Sequence, residues 1–166
     1  MLATLDRIPT LMSATLNNEC GEPLFLVNGV YLSNNDVRPD FSFGSVVPAD
    51  ILSLSPEINP KFWQSSTDVF MHTDDFKFPK ESPNTLAIPL DIQSSSEIFL
   101  IYKDNGKAKE VKLATGQPIL FNAKQEHGLI DRSKGKHDDG AQFHINWIIF
   151  DRVCPSEKIK KITYIE

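Results

Sequence analysis

The stretch Glu97–Leu113, EIFLIYKDNGKAKEVKL, decides how this chain folds. Asn105 and Gly106 stand between the run Ile98–Tyr102, which is rich in branched and aromatic residues, and the run Ala108–Leu113. A tight type I′ turn needs positive φ at both central residues, and Asn-Gly is the pair that adopts this conformation most readily. The stretch therefore predicts an antiparallel β-hairpin.

Runs of the same kind recur on both sides of this hairpin, separated by clusters of Gly, Pro, Asn, Asp and Ser. Short runs bounded by turn residues are typical of β-strands. The other predicted strands are Leu24–Val27, Val30–Leu32, Asp68–His72, Thr85–Leu90, Ile119–Phe121 and Phe143–Phe150. About eight short strands in a chain of 166 residues predict a mainly β fold, either a sandwich or a barrel.

Two further elements are expected from local patterns. Up to about Asn18, apolar residues have a spacing compatible with a short N-terminal helix that Pro9 would begin or kink. A looser hairpin is expected where PILFNA, residues 118–123, and AQFHINWIIF, residues 141–150, are joined by a long polar loop.

The composition predicts one self-sufficient domain. A chain of 166 residues, 40% of them hydrophobic, can bury a core without disulfides or a structural metal. Cys20 and Cys154 have neither a redox nor a zinc spacing, and we expect both to be reduced. The net charge of −5 argues against binding of duplex nucleic acid through its phosphates. No signal peptide or membrane span is visible, so a cytoplasmic protein is expected.

A histidine and an aspartate, His72 and Asp74, end the predicted strand Asp68–His72 in the order H-x-D. Alternate side chains of an extended chain share a face, so this pair can offer an imidazole and a carboxylate to one ion. Two histidines and one carboxylate leave coordination positions open on the metal, as in non-haem Fe(II) oxygenases. A third ligand must come from elsewhere, and without one the pair is simply the polar end of a strand.

Sequence context separates the other histidines. His127 closely follows the strand-like run PILFN. His137 opens a second H-x-D pattern with Asp138 and Asp139, but this pattern stands in the polar loop, where an exposed histidine is the ordinary expectation.

The order of these motifs resembles a known family. From MHTDD through TLAIPLD, GQPILFNAKQEHGL and QFHINWIIF, about residues 68–151, the sequence resembles the double-stranded β-helix core of the Fe(II)/2-oxoglutarate-dependent dioxygenases. The resemblance implies a jelly-roll or cupin-like barrel. It also implies that His72, Asp74 and His127 are the iron ligands and that 2-oxoglutarate is the co-substrate.

The family holds the far carboxylate of 2-oxoglutarate with a basic residue, usually Arg, because a fork of donors matches a carboxylate. Gln142 stands at that position here, and Arg132 is a basic alternative in the preceding loop. His144 and Asn146 share the face of Gln142 on the predicted strand, and this polar face either lines the pocket or meets solvent. These four residues are the predicted co-substrate residues.

Three functions stay open. The first is an Fe(II)- and 2-oxoglutarate-dependent oxygenase, usually a hydroxylase. The second, prompted by Gln142, is a metal-dependent barrel enzyme that does not use 2-oxoglutarate. The third is a metal-free jelly-roll module for binding or structure.

Neither the oligomeric state nor the substrate, a small molecule or a peptide, is defined by the sequence. Within the single domain, residues 1–67 form a lead-in and residues 152–166 a C-terminal extension of the core. The pocket candidates in the lead-in are Tyr31, Arg38, Trp63 and Gln64.

Overall fold

The structure, a computed structural model, describes residues 1–8, 13–17, 23–27, 30–32, 61–65, 69–74, 82–93, 97–132, 144–151, 153 and 162–166. These residues form strands and their connections, with no helix among them, so the prediction of a mainly β protein is confirmed. The strands are β1 Leu2–Leu5, β2 Ser13–Asn17, β3 Pro23–Val27, β4 Val30–Leu32, β5 Lys61–Ser65, β6 Val69–His72, β7 Asn84–Gln93, β8 Ile98–Asp104, β9 Lys107–Lys112, β10 Ile119–Asn122, β11 His127–Asp131, β12 His144–Phe150 and β13 Ile162–Tyr164.

The predicted hairpin is confirmed in β8 and β9, which pair antiparallel from Phe99 opposite Lys112 to Asp104 opposite Lys107. Asn105 and Gly106 have φ values of 50° and 83°, the two positive values that the turn requires. The Lys109 ammonium lies 2.8 Å from the Asp104 carboxylate and ties the second strand to the end of the first.

Strands β5 to β12 pair as one long hairpin that is folded over on itself. β8 pairs with β9, β7 with β10, β6 with β11 and β5 with β12. Further pairing joins these strands into two antiparallel sheets, ordered β13-β1-β10-β7-β12-β5 and β6-β11-β8-β9, while β2, β3 and β4 form a third. Segments that are distant in sequence therefore become neighbours.

The core lies between the six-stranded and four-stranded sheets. Along β8, the inward residues Ile98, Leu100 and Tyr102 are buried, and the residues between them are partly exposed. Ile119 and Phe121 of β10 and Trp147 of β12 meet them from the other sheet. Burial of each such side chain stabilises the fold by about 1.5–3 kcal/mol, so the two-sheet arrangement rests mainly on this layer.

The predicted N-terminal helix is wrong for the described part of that segment. Leu2–Leu5 is a strand between β10 and β13, and Ser13–Asn17 is a strand paired with β3. All four residues of β1 are buried, because this strand lies within a sheet that is covered on both faces. Its apolar pattern reflects two buried faces and not a helical stripe.

The looser predicted hairpin is also wrong. β10 and β12 do not pair with each other, because each pairs with β7, which lies between them. The connecting segment contains an additional strand, β11, which belongs to the four-stranded sheet.

Some expectations concern residues outside the described part of the chain: Pro9, Cys20, Arg38, His137 and Gln142. Within the part that is described, no helix is long and apolar enough to cross a membrane.

Candidate metal site

Strands β6 and β11 bring two histidines face to face. His72 and His127 are direct register partners on these antiparallel strands, and their ring centroids are 4.4 Å apart. Asp74 follows β6, and its backbone N–H donates to the Ala123 carbonyl at 2.9 Å. This bond anchors the aspartate beside both histidines. One ligand atom from each of the three residues lies within 4.8 Å of the other two.

Backbone carbonyls fix the orientation of both imidazoles. Nδ1 of His72 lies 2.8 Å from the Phe70 carbonyl oxygen, and Nδ1 of His127 lies 2.9 Å from that of Gln125. Because a carbonyl only accepts, each Nδ1 donates, and the neutral ring then carries its lone pair on Nε2. Such a contact fixes the tautomer of a metal-binding histidine.

The free lone pairs converge on the carboxylate. Nε2 of His72 lies 3.4 Å from Oδ1 of Asp74, and Nε2 of His127 lies 3.6 Å from the same oxygen. With neutral imidazoles no proton lies between these atoms, so three electron-pair donors face one another. A divalent cation satisfies this arrangement, and two imidazoles with one carboxylate suit a transition metal.

The two sides of the site differ in exposure. The His127 side chain is 8% exposed, whereas those of His72 and Asp74 are 45% and 42% exposed. Burial lowers the pKa of His127, although its bond to the Gln125 carbonyl and the Asp74 charge act in the opposite direction. The Phe121 ring packs 4.9 Å from the His127 ring and covers the buried side. The site therefore has a rigid apolar wall and one open side.

The glycine after His127 is required by the close approach of β6. A Cβ on Gly128 would lie 2.5 Å from the carbonyl oxygen of Val69 and 3.1 Å from the carbonyl carbon of Phe70. The strand pairing is irregular here, between His127 and Leu129. Any larger residue at position 128 would push β6, and with it His72, away from β11.

A cavity of about 380 Å³ opens beside the triad, between the two larger sheets. This volume lies in the range of small-molecule sites. Its walls are mainly apolar, and the triad forms its polar end. The lining residues are Trp63, Val69, His72, Asp74, Thr85, Ala87, Leu100, Ile119, Phe121, His127, Gly128, Leu129, Trp147, Ile149 and Asp151.

Of the polar residues predicted to share one face of β12, Asn146 is the one whose side chain the structure describes. Trp147 and Ile149 line the cavity, whereas Asn146 is buried and lies outside the described lining. A role for Asn146 in co-substrate binding stays a prediction. His144 begins the strand, and Gln142 lies outside the described residues.

Arg132, the predicted basic alternative, lies just past the end of β11 opposite to His127. Its guanidinium donates to the Glu110 carboxylate and lies 5.2 Å above the centre of the Phe99 ring. Arg132 is not part of the cavity lining. Its charge is already paired, so the cavity as described gains no cation from it.

Sequence reasoning named Trp63 but missed Thr85 and Trp147. Trp63 and Trp147 are register partners on β5 and β12, and both line the cavity. The Thr85 side chain is 3% exposed, and its hydroxyl has no hydrogen-bond partner among the described residues. The available signal was the alternation of small residues, Thr85 and Ala87, along β7, which leaves room between the sheets.

No family model matches the chain, and no curated protein matches it. Among solved structures, the chain is similar to one described as "Non-heme monooxygenase, ThoJ-Ni complex", with 13% identity and a TM-score of 0.34. The match covers 61% of this chain and 50% of the other, so it spans half of that protein. A likeness this slight does not bear on function, and the chemistry must be argued from the site.

Proposed function

We propose that this protein is a non-haem metal-dependent oxygenase whose Fe(II) ion is held by His72, Asp74 and His127. The observation that carries the proposal is the convergence of two Nε2 atoms and one carboxylate oxygen while both Nδ1 atoms are bonded to backbone carbonyls. Two histidines and one carboxylate leave coordination positions free for a substrate and for O₂.

The nested pairing of β5 to β12 supports a jelly-roll core of the double-stranded β-helix type, since such a core has eight strands in two sheets. His72 then ends the second core strand, Asp74 follows it, and His127 begins the seventh. The register that unites them supports the family resemblance of the motifs.

Each residue of the site has a definite task in this proposal. His72 and His127 present Nε2 as ligand atoms, and Asp74 supplies negative charge that favours a divalent ion. Phe121 keeps water from the buried side of His127, and the cavity orients a substrate next to the open side. When bound, the iron supplies the activation of O₂, which amino-acid side chains cannot provide.

The resemblance adds 2-oxoglutarate as co-substrate. Insertion of one oxygen atom from O₂ into a C–H bond leaves the second atom to be reduced by two electrons. Oxidative decarboxylation of 2-oxoglutarate to succinate and CO₂ supplies these electrons and takes up that atom. The co-substrate therefore completes the balance of a hydroxylation.

One observation favours a second candidate, a metal-dependent barrel enzyme that does not use 2-oxoglutarate. The described cavity lining contains the acids Asp74 and Asp151 and no Lys or Arg. No cationic side chain of the described lining is present to pair with a dicarboxylate, so the metal would be its cationic partner there.

The third reading, a metal-free module, would leave the meeting of His72, Asp74 and His127 as a consequence of strand register alone.

The metal site is tested by anaerobic titration of metal-free protein with Fe(II), and with Co(II) as a spectroscopic substitute. We expect one ion per chain, with binding abolished in His72→Ala and Asp74→Asn. His137→Ala is the matched control, because it alters the other H-x-D pattern and should bind metal normally. Absence of stoichiometric binding in the folded wild-type protein would contradict the proposal.

The co-substrate is tested separately. If 2-oxoglutarate is used, its addition to the Fe(II) protein without oxygen produces a visible charge-transfer band, and admission of oxygen yields succinate. A protein that binds Fe(II) but gives neither signal favours the second candidate.

A further inference from the structure

Beyond the triad, the described wall of the cavity contains few polar side chains. Apart from the metal ligands and the indole N–H groups, the side chains with polar atoms in the described lining are Thr85 and Asp151. Asp151 already interacts with another group of the chain. Of these two, Thr85 is therefore the side chain whose polar atom has no hydrogen-bond partner among the described residues.

Apolar side chains adjoin Thr85 on β7 and β10, and Asp151 follows Phe150, the register partner of Leu86 on β7. Thr85 lies opposite Phe121 in the pairing of β7 with β10, and its neighbour on the same face of β7 is Ala87. Buried hydroxyl groups without a partner are uncommon in native proteins, because they lose hydration without compensation. A molecule that fills the cavity and offers one hydrogen-bonding group would satisfy Thr85.

We propose that the cavity binds a compact, mainly apolar molecule without negative charge whose hydrogen-bonding group meets the Thr85 hydroxyl. Its apolar body packs against Trp63 and Trp147, which lie opposite each other on β5 and β12. The inference that this molecule is the substrate rests on the proposed oxygenase function. The inference that it binds rests on the cavity alone.

The charges of the described lining disfavour an anion as the ligand of the metal-free cavity. An anionic head group would enter beside Asp74 and Asp151 and would find no Lys or Arg in the described lining. Transfer of an unpaired charge into an apolar cavity is strongly unfavourable. A neutral head group loses less hydration and regains a hydrogen bond at Thr85.

The two tryptophans of the chain, Trp63 and Trp147, provide the readout because both lie in the lining. The metal-free protein is titrated with two probes that share one ring, cyclohexylmethanol and cyclohexanecarboxylate. We expect a saturable change in tryptophan fluorescence with the alcohol, and binding at least about tenfold weaker for the carboxylate. Equal or tighter binding of the carboxylate would overturn the proposal, as would no binding of the alcohol.

The role of Thr85 is tested with Thr85→Val, which keeps the shape and removes the hydroxyl. Binding of cyclohexylmethanol should weaken about tenfold, the value of one good hydrogen bond, while methylcyclohexane should bind as before. Thr4→Val is the control, because Thr4 is a buried threonine that lies outside the cavity lining. Unchanged binding of the alcohol, or equal weakening of both probes, would show that Thr85 has only a packing role.

These titrations are independent of the metal because they use metal-free protein. If wild-type protein binds the alcohol selectively but no metal, the oxygenase proposal fails and the ligand class stands. If it binds metal but prefers the carboxylate probe, the oxygenase proposal stands and the ligand class fails.

Discussion

The two ends of β11 differ in how their polar and charged side chains are satisfied. Just past its C-terminal end, the Arg132 guanidinium is paired with the Glu110 carboxylate and lies over the Phe99 ring, so the chain itself satisfies the charge. At its start, His127 joins His72 and Asp74 in a cluster of electron-pair donors. In the Arg132–Glu110 ion pair the protein itself supplies both charges, whereas the triad supplies only electron-pair donors and needs a bound cation.

The largest effect is expected from His127→Gln. Removal of one of three ligands should lower the affinity for Co(II) more than about 100-fold, since even loss of an outer-sphere partner costs 10- to 100-fold. Competition with a chromophoric chelator measures this affinity. Glu110→Gln, which removes the ion-pair partner of Arg132 just past the other end of β11, should change it less than about twofold. Similar losses in both variants would contradict the distinction between the two ends.

Gly128→Ala should give the next largest effect. The added methyl group meets the Val69 carbonyl, and relief of this overlap costs about 1–3 kcal/mol of the free energy of unfolding. Because β6 must move, the affinity for Co(II) should fall as well. Chemical denaturation and metal titration measure the two quantities.

Gly106→Ala is the matched control for this variant. Its φ of 83° makes alanine unfavourable by about 1–2 kcal/mol, but a Cβ there meets nothing within 4 Å. Metal affinity should therefore be unchanged. A Gly128→Ala protein with wild-type metal affinity would show that β6 adjusts without moving His72.

Arg132→Ala should have a smaller effect. Its ion pair with Glu110 is about half exposed, so the free energy of unfolding should fall by about 0.2–1 kcal/mol, as measured in urea. Binding of 2-oxoglutarate to the iron protein, if it occurs, should not change. A large loss of 2-oxoglutarate binding would instead identify Arg132 as the co-substrate anchor.

The smallest effect is expected from pH. Burial holds the pKa of His127 below its usual value of 6.5, so the unfolded chain takes up the proton first. Stability of the metal-free protein is therefore full above about pH 6.5 and declines as the pH falls through the folded-state pKa. Denaturation at several pH values should give a shallower decline in His127→Gln. An equal slope in both proteins would argue against this assignment.

Local signals predicted the parts of the fold that depend on neighbours in sequence. The hairpin at Asn105 and Gly106 depends on turn chemistry alone, and Val30–Leu32 was bounded correctly by its turn residues. β11 was missed because HGLID contains residues that disfavour strands, and pairing on both sides supplies what propensity lacks. β1 was missed because both of its faces are buried.

The site was predictable in its ligand types but not in its walls. The H-x-D spacing and the position of His127 after a strand pointed to the triad, whose convergence depends on the register of β6 against β11. Thr85 and Trp147 line the cavity because two sheets pack together. The small residues Thr85 and Ala87 indicate room beside β7, but they do not specify which strands meet across it. Asn146 is buried outside the described lining.

The pairing of His72 with His127 also has a kinetic consequence. The two residues are separated by 55 positions, and β7 to β10 lie between them in sequence. Long-range pairing of this kind forms slowly, because a large loop must close first. Where the pairing forms after the rate-limiting step, a bound ion slows unfolding and leaves the folding rate nearly unchanged. Metal loading would then lengthen the lifetime of the native state without accelerating its formation.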